Sequence, residues 1–291
     1  MVTGICTDRV VIVTGAGQGL GRAHATALGR AGALVVVNDV RDAGATVAEI
    51  VGAGGTAVAS VGDVADWSYG ETLIATAIDA FGRLDALVNN AGLVRDRMLV
   101  SLTEAEWDDV IRVDLKGHFV PLRHAAGYWR DRAKAGAPVA ARVVNTSSGA
   151  GLMGSVGQGN YSAAKAGVAA LSQVAAAELG RYGVTVNAIA PSARTPMTEV
   201  VFADAMRAPD GGFDAAAPEN VSPLVVWLVS PDSGDVTGRM FEVSGGSISA
   251  SDGWQHGVAV DSGRRWEPDE LGPVVRQLLR AAPAPAPVYG A

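Results

Sequence analysis

The chain has 291 residues, 48% apolar and 18% charged, which is enough for one large α/β domain or two small ones. Its net charge of −7 argues against a nucleic-acid partner, because binding to phosphate backbones depends on clustered Lys and Arg. No apolar run approaches the roughly 20 residues of a membrane span, and the single cysteine, Cys6, excludes an internal disulfide. We therefore expect a cytoplasmic protein without nucleic-acid or membrane partners.

Short apolar runs alternate with helical patterns up to residue 245, which is typical of βαβ units. The predicted strands are Val10–Val13, Leu34–Asn38, Thr56–Ser60, Ala86–Val88, Arg142–Thr146, Val184–Ile189 and Met240–Val243. The predicted helices are Leu20–Arg30, Gly44–Val51, Tyr69–Phe81, Glu104–Trp129, Tyr161–Arg181 and Glu219–Leu228. This order predicts one doubly wound α/β domain of Rossmann type over residues 1–246, with a seven-stranded, mainly parallel sheet and helices on both faces.

The composition changes after Gly246. Residues 247–291 contain two tryptophans, Trp254 and Trp266, one short helical pattern, Leu271–Leu279, and alternating prolines near the end. About 45 residues of this kind are too few to fold alone. We expect an extension of the main domain, with both tryptophans packed on the core or on a neighbouring subunit.

A glycine-rich turn directly follows the first predicted strand. It reads Thr14-Gly15-Ala16-Gly17-Gln18-Gly19-Leu20-Gly21 and opens the first predicted helix. Glycines in this place let the backbone approach a pyrophosphate, which binds the free N–H groups of the helix N-terminus. The alternative is an ordinary glycine-rich turn. The strand–turn–helix context favours dinucleotide binding, with Gly15, Gln18, Gly19 and Leu20 as contacts.

Two aspartates end neighbouring strands. Asp39 follows the second strand about 20 residues beyond the glycines, where a carboxylate accepts hydrogen bonds from an adenosine ribose. A 2′-phosphate would be repelled there, so we predict NAD(H) rather than NADP(H). Asp63 ends the third strand, and with Val64 it is a weaker candidate for contacting the adenine.

Tyr161 and Lys165 are four residues apart, on one face of a predicted helix, and Ser148 lies 13 residues before Tyr161. A phenol with a pKa of about 10 is a poor acid–base group at neutral pH. A nearby ammonium stabilises the phenolate and lowers its pKa, while a serine hydroxyl can hold a substrate oxygen. We therefore predict Ser148, Tyr161 and Lys165 as the catalytic set. Only three of the 23 basic residues are lysine, which makes a chance pairing improbable.

Five motifs in order resemble the short-chain dehydrogenase/reductase family across residues 8 to 246. They are Thr14–Gly21, Asn89-Asn90-Ala91-Gly92, Asn145-Thr146-Ser147-Ser148, Gly157–Gly167 and Val186-Asn187-Ala188-Ile189-Ala190-Pro191. The resemblance implies Tyr161 as general acid–base, Lys165 as the ligand of the nicotinamide ribose and Ser148 as the residue that orients the substrate. It also implies cofactor contacts by Asn90, Ala91, Gly92, Pro191 and Thr195, and a homotetramer.

The chain departs from the family pattern in the middle helix, where Asp114 replaces a frequent asparagine. In the family that asparagine helps to hold a water in a proton relay. Asp114 can keep the backbone role, but its carboxylate adds a negative charge near Lys165. The four histidines are not spaced for a metal site, so no metal is predicted.

The leading hypothesis is an NAD(H)-dependent oxidoreductase that interconverts a secondary alcohol and a ketone. The chain resembles bacterial 3-oxoacyl reductases, hydroxysteroid dehydrogenases and hydroxyacyl-CoA dehydrogenase domains, which suggests a 3-hydroxyacyl thioester or a steroid-like alcohol. One alternative is a non-catalytic dinucleotide-binding regulator, and another is an extended sugar-nucleotide epimerase, whose glycine spacing differs. We expect residues 196–218 to form the specificity loop.

Overall fold

Eight strands form one sheet in the computed structural model, which describes residues 3–195, 208–209, 211–251, 255–284 and 286–290. The strands are β1 (Val10–Val13), β2 (Leu34–Asp39), β3 (Thr56–Val61), β4 (Ala86–Asn89), β5 (Ala141–Thr146), β6 (Val184–Ser192), β7 (Met240–Ser244) and β8 (Ser247–Ser251). Their order across the sheet is β3-β2-β1-β4-β5-β6-β7-β8, and only the β7–β8 pairing is antiparallel.

The predicted number of seven strands is one too few. β8 turns back on β7 through Gly245 and Gly246, and Gly245 has the positive φ of 55° that such tight hairpins favour. The strand is exposed at the sheet edge, so its sequence, Ser-Ile-Ser-Ala-Ser, has no buried apolar face to reveal it. The sheet thus extends past the boundary predicted at residue 246.

The helices cover both faces of the sheet. They are α1 (Gly19–Arg30), α2 (Gly44–Gly52), α3 (Trp67–Phe81), α4 (Glu104–Val110), α5 (Gly117–Lys134), α6 (Gly149–Met153), α7 (Gly159–Leu179), α8 (Ser222–Val229) and α9 (Leu271–Ala281). The predicted single helix Glu104–Trp129 is interrupted by a π-helical segment, Ile111–Lys116, between α4 and α5. A π-helix adds a residue per turn, which the 3.6-residue pattern cannot show.

Alternate strand residues enter different halves of the core. In β1, Val11 and Val13 join the cluster beneath α1, α2 and α8, whereas Val10 and Ile12 join the cluster beneath α3, α5 and α7. All four are fully buried. This two-sided burial explains why the strand is continuously apolar.

The chain adds β2 and β3 on one side of β1 and then crosses back to place β4 on the other side, so the strand order reverses direction between β1 and β4. In open parallel sheets, ligands bind in the crevice at the carboxyl ends of the strands at such a point.

None of the helices in the described part of the chain is both long and apolar enough to cross a bilayer. The cytoplasmic location stays a prediction.

Candidate active site

A cleft opens at the carboxyl ends of β1, β4, β5 and β6. Twelve of the residues predicted from the sequence line it: Gly15, Gln18, Gly19, Leu20, Asn90, Ala91, Gly92, Ser148, Tyr161, Lys165, Pro191 and Thr195. They come from five segments that are distant in sequence, and the parallel sheet brings these segments to one edge. The three remaining predicted residues, Asp39, Asp63 and Val64, lie outside its lining.

The glycine-rich turn packs too closely for side chains. Gly15 has a φ of +60°, and a Cβ there would lie 2.7 Å from the Ala91 Cα. A Cβ on Gly21 would lie 2.2 Å from the Gly15 carbonyl oxygen. The N-cap residue of α1, Gln18, makes no side-chain capping hydrogen bond, and the first turn holds no acidic residue. Gln18, Gly19 and Leu20 line the cleft, so the positive end of the helix dipole lies at the cleft.

Hydrogen bonds tie this turn to the loop after β4. Thr14 Oγ1 accepts from the backbone N–H groups of Asn90 and Ala91, at 2.9 and 3.1 Å. The Asn90 amide donates back to the carbonyl oxygens of Thr14 and Gly15, at 3.0 and 3.2 Å. Asn90 therefore fixes the turn beneath the position expected for the cofactor.

Asp39 lies beside the glycine-rich turn, at the end of β2. Its Oδ2 accepts from the Gly17 N–H and its Oδ1 from the Arg41 N–H, each at 3.0 Å. Both bonds orient the carboxylate, and each oxygen keeps a second lone pair for a ribose hydroxyl. In dinucleotide-binding folds of this type, a carboxylate at this position accepts hydrogen bonds from the adenosine ribose.

Asp63 and Val64 have structural partners in the described chain. Asp63 forms an ion pair with Arg112 at 2.5 Å and accepts from the Ala65 N–H at 2.9 Å. Val64 is buried and packs where a Cβ on Gly117 would meet it at 2.9 Å. Their predicted contacts to the adenine stay predictions.

Lys165 is the buried cation of the cleft. Only 2% of its side chain is exposed, and its Nζ donates to the Thr146 carbonyl oxygen at 2.9 Å. The same Nζ lies 3.2 Å from Asp114 Oδ2 and 5.5 Å from the centre of the Tyr161 ring. An ammonium in this position stabilises a phenolate on Tyr161.

Burial raises the pKa of Tyr161 above its usual value, and the charges of Asp114 and Asp96 act in the same direction. Lys165 and a hydrogen bond from Ser148 oppose this rise in pKa. Ser148 is the N-cap of α6, where its Oγ accepts from the Ala150 N–H at 3.1 Å. The phenol of Tyr161, the hydroxyl of Ser148 and the ammonium of Lys165 thus lie in one cleft, and their catalytic roles stay a prediction.

The π-helical segment carries Asp114 into this cluster. The Asp114 side chain is fully buried, and its Oδ1 accepts from the Leu93 N–H at 2.8 Å. Burial raises the pKa of Asp114, whereas Lys165 and the Leu93 N–H lower it. Burial and the charge of Lys165 hold the pKa of the neighbouring His118 well below its usual range, so this imidazole is neutral.

Sequence reasoning did not single out five further residues that line the cleft: Val94, Thr146, Ser147, Gln158 and Ala193. Thr146, Ser147 and Gln158 belong to the motifs that carry the family resemblance, and this membership is the signal by which they could have been found.

Most of the predicted specificity loop, residues 196–207 and 210, lies outside the described residues, as does Trp254. Trp266 is half-buried. Within the described ranges, no three His, Cys, Asp or Glu side chains group as a metal ion would need.

The cleft suits a nicotinamide dinucleotide. The glycine cradle and the uncapped α1 N-terminus match a pyrophosphate, and Asp39 matches the ribose at one end. Lys165 and Tyr161 stand at the other end, where the nicotinamide ribose of such a molecule would arrive.

The comparisons with known proteins agree with this geometry. A family model described as short chain dehydrogenase matches residues 9–205. The chain is 47% identical to hydroxyacyl-CoA dehydrogenase ChsB1 of Mycobacterium tuberculosis, over 94% of this chain and 89% of that protein. It is 40% identical to a 3-oxoacyl-(acyl-carrier-protein) reductase of Synechocystis, over 83% of this chain and 98% of that one. A crystal structure of a short chain dehydrogenase from Mycobacterium avium is 60% identical with a TM-score of 0.92, covering 99% of this chain and 100% of that one. The chain therefore belongs to the short-chain dehydrogenase/reductase family and is an oxidoreductase that uses a nicotinamide cofactor.

Proposed function

We propose that this enzyme interconverts a 3-hydroxyacyl thioester and its 3-oxo counterpart with NAD(H). The observation that carries the proposal is the convergence of Ser148, Tyr161 and Lys165 in one cleft, with the Asp39 carboxylate outside its lining but hydrogen-bonded to the glycine-rich turn. One similar protein is named a hydroxyacyl-CoA dehydrogenase and another a 3-oxoacyl-(acyl-carrier-protein) reductase, so both names describe an acyl thioester with an oxygen substituent, on carbon 3 in the second name. That shared chemistry supports the substrate class.

The proposed roles follow from the contacts. Ser148 holds the substrate oxygen by a hydrogen bond. In the oxidation, Tyr161 accepts the hydroxyl proton as general base, and in the reduction it donates a proton to the carbonyl oxygen. Lys165, positioned by Thr146 and Asp114, stabilises the phenolate and contacts the nicotinamide ribose. The bound nicotinamide supplies the hydride acceptor or donor.

Turnover measured by absorbance at 340 nm tests the substrate class. The panel contains 3-hydroxyacyl-CoA thioesters of graded chain length, a hydroxysteroid and simple secondary alcohols. We expect the highest kcat/KM for a thioester. A higher kcat/KM for the hydroxysteroid or for a simple alcohol contradicts the proposal.

The alternative of a non-catalytic regulator is not supported, because the relatives are named dehydrogenases and reductases and both Tyr161 and Lys165 are present.

We also propose a homotetramer in which the helices of residues 104–129 and 162–181 pair across two-fold axes. Ala166 and Ala170 are exposed on α7, and such small residues permit close helix approach. Light scattering at micromolar concentration is expected to give four times the 29.6 kDa chain mass. A monomeric mass contradicts the proposal.

Tyr161→Phe is expected to lower turnover by about 10²- to 10⁴-fold, because it removes the proton donor and keeps the ring. NADH affinity, measured by fluorescence titration, is expected to change little. Turnover at the wild-type rate would show that another group carries the proton.

Asp114→Asn is expected to move the acidic limb of the alcohol-oxidation pH profile to lower pH. The Asp114 charge raises the pKa of Tyr161, and its removal leaves more phenolate at a given pH. Burial and the groups Lys165, Ser148 and Asp96 also act on the pKa of Tyr161. Asparagine keeps an oxygen that can accept from the Lys165 ammonium, so the substitution removes the charge with little change in size.

The matched control for this prediction is Asp109→Asn on α4, which removes an exposed carboxylate paired with Arg95. It is expected to leave the pH profile unchanged. If the acidic limb of the pH profile stays in place in Asp114→Asn or moves to higher pH, the charge of Asp114 does not raise the pKa of Tyr161 and the prediction is wrong.

The wild-type enzyme is expected to prefer NAD over NADP by about 10²-fold in kcat/KM, because a 2′-phosphate would meet the Asp39 carboxylate. Asp39→Ala and the isosteric Asp39→Asn both remove the charge and are expected to narrow the preference. Comparable kcat/KM for the two cofactors in the wild type refutes the assignment of Asp39. If Asp39→Ala narrows the preference for NAD and Asp39→Asn does not, the size of the side chain and not its charge sets the cofactor preference.

A further inference from the structure

Two segments that are distant in sequence meet beside the cleft. Residues 149–158 connect Ser148 to the helix of Tyr161, and we call them the serine loop. Residues 288–290 lie near the end of the predicted extension, and we call them the strap. A parallel β-bridge joins the two segments.

Backbone hydrogen bonds fix how the strap lies on the loop. The Tyr289 N–H donates to the Gly154 carbonyl oxygen at 3.2 Å, and the Val156 N–H donates to the Tyr289 carbonyl oxygen at 2.9 Å. The bridge pairs Ser155 with Tyr289. Two bonds on either side of one residue set the register, so the contact is a specific pairing of backbones.

The Tyr289 side chain reaches the residue that follows Ser148. A Cβ on Gly149 would lie 2.9 Å from the Tyr289 hydroxyl oxygen and 3.0 Å from a ring carbon. Glycine at position 149 therefore leaves room for the phenol. The ring lies directly against the first turn of α6, whose N-cap is Ser148.

Other parts of the chain hold the remaining sides of the serine loop. A Cβ on Gly151 would lie 2.6 Å from the Lys165 backbone, so α6 packs directly on α7. The Arg97 N–H donates to the Gly157 carbonyl oxygen at 2.7 Å. The serine loop is thus contacted by α7, by Arg97 and by the strap.

The serine loop has little stabilisation of its own. Gly154 and Gly157 adopt positive φ angles of 78° and 77°, and Met153 and Val156 are 37% and 45% exposed. Loops with few buried apolar groups open easily unless other segments hold them. The prolines before the strap, Pro283 and Pro287 among them, restrict its backbone, which reduces the entropy lost when it docks.

We propose that the strap is a positioning element of the active site, in which Tyr289 and its backbone hold the serine loop so that Ser148 stays in place beside Tyr161. This inference rests on the proposed function for its kinetic consequence. Its structural consequence, a serine loop held by residues 288–290, is independent of the substrate.

The proposal fixes the direction in which the pH profile of alcohol oxidation moves when the strap is lost. A loosened loop weakens the hydrogen bond from Ser148 that lowers the pKa of Tyr161. The acidic limb of alcohol oxidation then moves to higher pH, opposite to the shift expected for Asp114→Asn. A displaced Ser148 also reduces kcat/KM, and misplacement of about 1 Å can cost about 10²-fold.

The experiment compares the wild type with a chain that ends at Pro287 and with the milder variant Tyr289→Ala. Leu279→Ala, at an exposed position of α9 in the same extension, is the matched control. The readouts are kcat, KM and the pH profile with a 3-hydroxyacyl-CoA thioester, NADH affinity by fluorescence, and hydrogen exchange of the peptide that contains Val156. Tyr289→Ala keeps the proposal testable if the shortened chain folds poorly.

We expect both strap variants to exchange the Val156 amide faster, to lose about 10- to 100-fold in kcat/KM and to shift the acidic limb upward, with NADH affinity unchanged. Leu279→Ala should match the wild type. Unchanged exchange together with unchanged kinetics overturns the proposal, as does a loss of kcat/KM without a shift of the limb, which indicates a loss of stability alone. If the wild type turns over no thioester, the proposed function fails, and hydrogen exchange still decides on the strap.

Discussion

The active site depends on a single buried ammonium. Lys165 is nearly inaccessible to solvent, and a charge in that environment must be paired and hydrogen-bonded to be tolerated. The Thr146 carbonyl and the Asp114 carboxylate meet this requirement, and together they fix where Nζ points. Removing one member of a buried ion pair typically costs about 3–5 kcal/mol, because the other charge is left uncompensated. The same contacts that make Lys165 tolerable therefore also aim it at Tyr161.

Asp114 gives this site an electrostatic balance of its own. A neutral side chain in its position would leave the charge of Lys165 free to act on the phenol. The carboxylate instead offsets part of that charge and raises the pKa of Tyr161. Asp114 lies in the π-helical segment, and its carboxylate contacts both the Leu93 N–H and the Lys165 ammonium.

Glycines allow close contacts between the segments that surround this cluster. Gly151 lets α6 approach Lys165, Gly15 lets the first turn approach Ala91, and Gly149 leaves room for Tyr289. Each contact joins segments separated by many residues. The positions of the side chains in the cleft are thus set by close packing, which tolerates little displacement.

The sequence by itself determined the parallel sheet, the glycine-rich turn between strand and helix, and the family, since each rests on local patterns. Apolar strands such as β1 must be buried on both faces, and Tyr161 and Lys165 share a helix face whatever surrounds them. Only the tertiary structure decided the eighth strand, the π-helical segment and the strap. β8 is exposed and has no buried apolar face, the π-helical segment has no signature in a 3.6-residue pattern, and Tyr289 pairs with a loop more than 130 residues earlier. Such contacts leave no local pattern, because their partners are chosen by the folded chain and not by neighbours in sequence.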